Sequence, residues 1–360
     1  MRDYHTIITC WKDNARAALT LTFDGCYADS WNLAHDVLTR YHIPSTWFLV
    51  TGTVGGVLQE RPVVTWEKLK KRSDLVEIAS HTVTHPRLKL PFRKRIPNYT
   101  CSAIKKFKKL FTSNLAQKIK RVGSNIYKDC QGVSYLEVLH EAEESKTTIE
   151  FSLNLKEILS FAYPGGRYNS SLKKGIAELG YLSARSTENG YNFVNSLDFY
   201  ALKSKVWDLT INAEQANKWV DDAIDKGVWL VETYHLVSQK AATGYRYNTT
   251  LSDFDNHLYY ANSKNLWIDT QQNIVKYIKE KQATDVKTKV ISDKKVVLSL
   301  KNGLDAAIYD QPLTLETVVP NAWETVTVEQ AGNIQEVLPI KGNIYYNVLP
   351  SDNEITITSI

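Results

Sequence analysis

The chain has 360 residues, 43% hydrophobic and 23% charged, with a net charge of +5. That balance describes an ordinary globular protein of two domains, or one large barrel with an appendage. No apolar run reaches the roughly 18–20 residues that a membrane-spanning helix needs, and Cys10, Cys26, Cys101 and Cys130 lack the CxxC spacing of a zinc ribbon.

From about residue 17 to 284, strand-like and helix-like stretches alternate in the manner of a parallel α/β architecture. Strands are expected at Ala17–Phe23, Ser45–Val50, Val76–Ala79, Ser160–Tyr163, Ser183–Ser186 and Val228–Thr233. Helices are expected at Trp31–Tyr41, Thr65–Lys71, around Glu137–Phe151, Ser170–Leu179, Ala213–Lys226 and Thr270–Gln282. The stretch from 91 to about 136 is too long for an ordinary connection and reads as an insertion carrying one basic helix, Ser102–Arg121. Between Arg87 and Cys130 thirteen Lys or Arg face a single acid, Asp129, so the remainder of the chain is acidic. No nucleic-acid module accompanies this block, which reads as a solvated basic face or a holder of an anionic polymer.

After Lys287 the pattern changes to period-two alternation, as in "KVVLSLKN" and "EITITSI", broken by Asn, Gly, Pro and Asp turns. The expected division is a barrel over 1–285 and a β-sandwich-like unit over 286–360. The cysteines are compatible with free thiols or with one or two disulfides. The N-terminal "MRDYHTIITCWKDN" lacks a signal peptide's apolar core. With Met1 the only methionine, a secreted or periplasmic protein already trimmed of its signal is expected, a cytoplasmic one being the alternative.

Four stretches carry candidate chemistry. In "LTFDGCYADSW" a buried strand stops at Asp24, a position where a carboxylate serves as base, metal ligand or helix cap. In "ASHTVTHP", His81 and His85 are four apart, so a helical turn would present both imidazoles to one metal ion. In "SFAYPGGRYN" a strand runs into a tight turn at Tyr163, Pro164 and Gly165 whose amides suit an oxyanion. In "VWLVETYHLV" a strand leads to His235, a residue suited to general acid work.

Taken together, these four stretches resemble the polysaccharide deacetylase family, also called the NodB-homology domain or family-four carbohydrate esterases. The resemblance covers residues 17 to about 284 and implies an α/β fold, an irregular (β/α) barrel of the polysaccharide deacetylase type. A small all-β C-terminal domain follows, outside the resemblance. The implied activity is metal-dependent hydrolysis of acetyl groups, most simply N-acetyl, on a polysaccharide or oligosaccharide. His81 and His85 take the place of the metal-binding histidines, with Thr82 as the Ser/Thr that steadies their loop. His235 matches the general acid, and Tyr163, Pro164 and Gly165 match the turn that helps hold the oxyanion. Trp207 and Leu230 would line a pocket for the acetyl methyl.

Two positions depart from the family pattern. Ala162 stands where the third motif has arginine, and Arg185 is the candidate to supply that guanidinium. The first motif has one aspartate where the family has two, a base followed by a metal ligand. Aligned without a gap, Asp24 is the base and Gly25 replaces the ligand; with one residue missing, Asp24 is the ligand. The ungapped alignment keeps the strand ending at Phe23 in its usual register. Asp29 is a substitute ligand from the following turn. With Asp24 as base, the implied divalent ion, zinc before cobalt or nickel, has two protein ligands and is expected to bind weakly. The competing expectation is a member that binds glycan without deacetylating it.

Overall fold

A computed structural model describes residues 4–89, 133–240 and 244–360. The basic helix expected at 102–121, most of the insertion, Cys101 and Cys130 fall outside the described residues. Cys10 is an exposed free thiol and Cys26 a buried one.

Eight parallel strands build the first part: β1 (Ala17–Asp24), β2 (Ser45–Leu49), β3 (Val76–Ser80), β4 (Ser160–Ala162), β5 (Ser183–Arg185), β6 (Lys205–Val206), β7 (Trp229–Tyr234) and β8 (Leu266–Ile268). They run in the order β5-β4-β3-β2-β1-β7-β6, and β1 lies inside the sheet, paired with β2, β7 and β8. Every residue of β1 is buried, as a strand covered on both faces requires. One edge of β1 is shared: Ala17–Leu19 pair with β8, while Thr22–Asp24 pair with β2. This splitting curls the sheet into the irregular barrel that the sequence predicts.

Helices α1 (Ala28–Arg40), α2 (Trp66–Lys70), α3 (Tyr135–Leu153), α4 (Ser170–Glu178), α5 (Ala213–Lys226), α6 (Leu251–Asn262) and α7 (Gln271–Ala283) follow strands or flank them. Their starts are chemically marked. Ser134 and Glu137 form a capping box on α3, Asn212 and Gln215 another on α5, and Thr65, Asn169, Thr250 and Thr270 cap α2, α4, α6 and α7. Phe23 stacks on Trp47 with ring centroids 4.0 Å apart, and α1 adds Trp31 to the same core.

The C-terminal segment forms two antiparallel sheets over one apolar core that includes Leu298, Leu315, Ile344 and Ile357. One sheet orders Asp285–Ser292, Lys295–Lys301, Ser351–Ser359, Val326–Gln330 and Asn333–Val337. The other holds Leu313–Val318 between Asn343–Val348 and the N-terminal strand Thr6–Ile8. Residues 6–8 thus pair with the C-terminal sheet, although the sequence gives them no pattern that separates them from the barrel.

Helix α7 joins the two parts. Its Glu280, 1% exposed, accepts the Gln311 amide at 2.9 Å, and its Lys276 pairs with Asp310 at 2.9 Å. Burial, opposed by the Gln311 amide and reinforced by Asp310, lifts the Glu280 carboxyl to about 7. The folded protein therefore holds this proton more tightly than the unfolded chain, and stability falls as pH rises from the usual carboxylate range towards 7. Glu280→Gln keeps an acceptor and has no proton to lose. It is expected to raise stability by about 2 kcal/mol at pH 8 and to leave it near wild type at pH 5. Melting temperatures at the two pH values check this; an equal shift at both would refute it.

Candidate active site

The parallel register brings five side chains to one interior face at the strands' C-terminal ends. Asp24 pairs in register with Phe48, Phe48 with Ala79, and Ala162 with Arg185. Asp24 and Arg185 lie on strands four places apart in the sheet, yet Arg185 Nη2 donates to Asp24 Oδ1 at 2.5 Å. The curl of the sheet makes this meeting possible. Small residues keep the crossing clear, since Ala79 and Ala162 pack with Phe48 and the guanidinium lies 5.1 Å from the centre of the Phe48 ring. Arg185 is fully buried and Asp24 nearly so.

Three histidines surround the carboxylate. His81 Nε2 and His235 Nε2 each lie 3.8 Å from Asp24 Oδ2, the oxygen not bonded to Arg185. The His81 and His85 rings are 4.6 Å apart, edge to face. His81 donates Nδ1–H to the Ala162 carbonyl at 2.8 Å, because that oxygen only accepts, which leaves Nε2 bare towards Asp24. His235 stacks on Tyr247 at 4.9 Å. Its peptide is clamped by Ser30 of α1, which donates to the His235 carbonyl at 3.1 Å and accepts from Val237 N–H at 2.8 Å.

The His81–His85 segment is not the helical turn that the four-residue spacing predicts. Thr82 and His85 have φ of +69° and +61°, so the chain folds back and brings the rings together by a tight turn. Thr82 Oγ1 accepts the His85 amide at 3.0 Å, in keeping with its expected steadying place. Glu141 of α3 accepts from the Val83 and Thr84 amides and from the Thr84 hydroxyl. Nothing in the local sequence points to Glu141, Ser30 or Tyr247; only the fold brings them here.

Electrostatically the carboxylate prevails. Burial alone would raise Asp24, but Arg185, His81 and His235 outweigh it and hold the group down at about 2. Burial lowers all three histidines, His85 to about 3 with His81 adding to the effect and His235 to about 4 against the pull of Asp24. At neutral pH the site therefore holds one carboxylate, one guanidinium and three neutral imidazoles.

Neutral imidazoles are the metal-binding form, yet a third donor is missing. Among the described residues no three His, Cys, Asp or Glu side chains stand in position to share an ion. Gly25 has φ of +84°, and a Cβ built on it would lie 2.9 Å from Leu58 Cδ2. Asp29 is exposed in the first turn of α1. Asp24 is already bound to a cation. The donor set fits an imidazole pair and does not fit a site with three protein ligands.

Other expected residues separate. Gly165 lines the cavity, while Tyr163 and Pro164 are buried beside it. The Tyr163 amide donates to the Arg185 carbonyl at 3.0 Å, so it is engaged between strands and not free for an oxyanion. Trp207 and Leu230 do not line the cavity. Strand alternation puts Leu230, Glu232 and Tyr234 on the face opposite His235. There the Trp207 indole and the Tyr234 hydroxyl donate to Glu232 at 2.9 and 2.6 Å, and His257 lies 3.0 Å from its other oxygen. The cavity itself encloses about 660 Å³ and is lined also by Tyr27, Arg87, Arg167, Asp208, Tyr245 and Arg246.

Residues 12–184 match the family model described as polysaccharide deacetylase. A gellan lyase from a Bacillus species is 21% identical over 347 residues, which is 90% of this chain and 12% of that protein. The chain therefore spans about an eighth of the length of this curated relative. Among solved structures, a Streptococcus pyogenes deacetylase in complex with acetate is 21% identical, with 51% of this chain and 61% of that chain covered and a TM-score of 0.36. A putative polysaccharide deacetylase from Mycobacterium smegmatis is 12% identical, with 77% and 94% covered and a TM-score of 0.44.

Proposed function

We propose that the chain, whose residues 12–184 match the polysaccharide deacetylase family model, hydrolyses acetyl groups, most simply N-acetyl, on a polysaccharide or oligosaccharide. The observation that carries this reading is Asp24, held by Arg185 at the floor of a cavity with His81 and His235 3.8 Å from its free oxygen. In this reading Asp24 Oδ2 takes a proton from a water molecule, whose oxygen bonds to the acetyl carbon. The carbon–nitrogen bond then breaks, and His235, 3.8 Å from the same oxygen, relays the proton taken up by Asp24 to the departing amine. Arg185 orients the base and keeps it ionised. Gly165 lines the cavity and in this reading is the residue of the turn left to face the carbonyl oxygen.

The ion the family uses is left with His81 and His85 alone, so zinc is expected to bind weakly and no step is assigned to it. A second reading is favoured by a specific observation: Gly25 offers no carboxylate, and a base held at about 2 is a weak one. That reading is a glycan-binding member which does not deacetylate. Acetate release from N-acetylated glycans, by chelated protein with and without added zinc, separates the two. Slow release is expected. Glycan binding with no release under any condition would discard the hydrolase in favour of the binder.

A further inference from the structure

The proposed reaction leaves the cavity's own charge without a use. Three arginines line it: Arg87, Arg167 and Arg246. Arg246 is matched, with Nε and Nη2 bonded to Asp208 at 3.0 and 2.9 Å, and Asp24 is matched by Arg185. Among the described residues, the Lys or Arg ion pairs at this cavity are these two, and neither includes Arg87 or Arg167. Arg87 and Arg167 are solvent-exposed cavity-lining groups with no ion-pair partner among the described residues, and a concave wall concentrates the field of such cations on whatever enters.

Arg87 is also supported in place. Its Nε would lie 3.3 Å from a Cβ on Gly165, which has φ of +60°, so the side chain lies close over this turn. Tyr27, Tyr245 and Tyr247 line the same cavity, and the hydroxyls of Tyr27 and Tyr245 are 3.3 Å apart. Tyrosine rings offer flat apolar surface to the faces of sugar rings, and a guanidinium fork matches the two oxygens of a carboxylate.

We propose that the substrate is an acidic glycan, in which the acetylated sugar is joined to a sugar bearing a carboxylate, with Arg87 and Arg167 holding that carboxylate. This rests on the acetyl hydrolase reading above and names its substrate class.

The test compares two tetrasaccharides by titration calorimetry and by acetate release: chitotetraose, which is neutral, and an alternating oligomer of N-acetylglucosamine and glucuronate. The acidic oligomer is expected to bind at least about tenfold more tightly at low salt, a difference of about 1.4 kcal/mol. The advantage should shrink as salt is raised. In Arg87→Gln/Arg167→Gln, with its melting temperature checked against wild type, it should fall towards parity. Equal affinities in the wild type, or a preference unchanged in the double variant, overturn the inference. Equal binding with acetate released from both leaves the hydrolase standing and removes only its acidic substrate. Tighter binding of the acidic oligomer with no acetate from either keeps the charge recognition and removes the hydrolase. No binding of either removes both.

Discussion

Arg185→Met is expected to lower the free energy of unfolding by about 3–5 kcal/mol, the usual cost of stripping one partner from a buried ion pair. The reason lies in what Asp24 becomes. Its burial already disfavours the charge, and Arg185 is the first-ranking influence that opposes this. Without the guanidinium, the carboxyl must take up a proton or remain as a buried charge facing only neutral imidazoles. The variant also removes the link between β1 and β5, residues 161 apart in sequence. Denaturant unfolding reads the loss directly. The double variant Asp24→Asn/Arg185→Met should recover part of it, since no uncompensated carboxylate remains. A loss below about 1 kcal/mol would mean that water or a neighbour relieves the pair more cheaply than its burial implies.

Asp24→Asn is expected to reduce acetate release by about 10²–10⁴-fold, the range for removing a positioned general base. Asparagine keeps the shape and can still accept from Arg185, so the fold should persist, which circular dichroism checks. The same variant decides between the two alignments of the first motif. A lost base is not restored by metal, whereas a lost metal ligand is offset by excess zinc. Release that returns with millimolar zinc would therefore reassign Asp24 from base to ligand. Release unchanged from wild type would remove Asp24 from the reaction altogether.

Much of the barrel was legible because its strands obey simple rules. The run from Ala17 is apolar without alternation, as a central parallel strand must be, and it extends one residue further than expected, to Asp24 itself. The expected helix at Ala213–Lys226 matches its observed bounds because a capping box opens it and Gly227, at φ of +65°, closes it. Helix α6 was missed although Leu251, Phe254, Leu258 and Ala261 follow the helical period behind the Thr250 cap. Trp207 and Leu230 are not among the cavity's lining residues, and for Leu230 a reason is present in the sequence. His235 is an odd number of residues from Leu230, so a continuous strand puts the two on opposite faces. Arg185 is in register with Ala162 on the neighbouring strand and donates to Asp24, a contact that depends on the pairing of strands far apart in sequence. The turn joining His81 to His85 was not legible, because a carboxylate more than fifty residues away on α3 holds its amides.

The pairing of Thr6–Ile8 with Leu313–Val318 has a consequence for the order of events during synthesis. Residues 6–8 find their sheet partner only after some three hundred further residues have emerged from the ribosome. At about 5–20 residues per second, that is a wait of roughly 15–60 s. During that interval the barrel strands can pair among themselves, while residues 6–8 remain an open edge available to any passing strand. A nascent chain halted before Leu313 should therefore hold a formed barrel with residues 6–8 unpaired, and its fate rests on whatever shields them until Leu313–Val318 arrive.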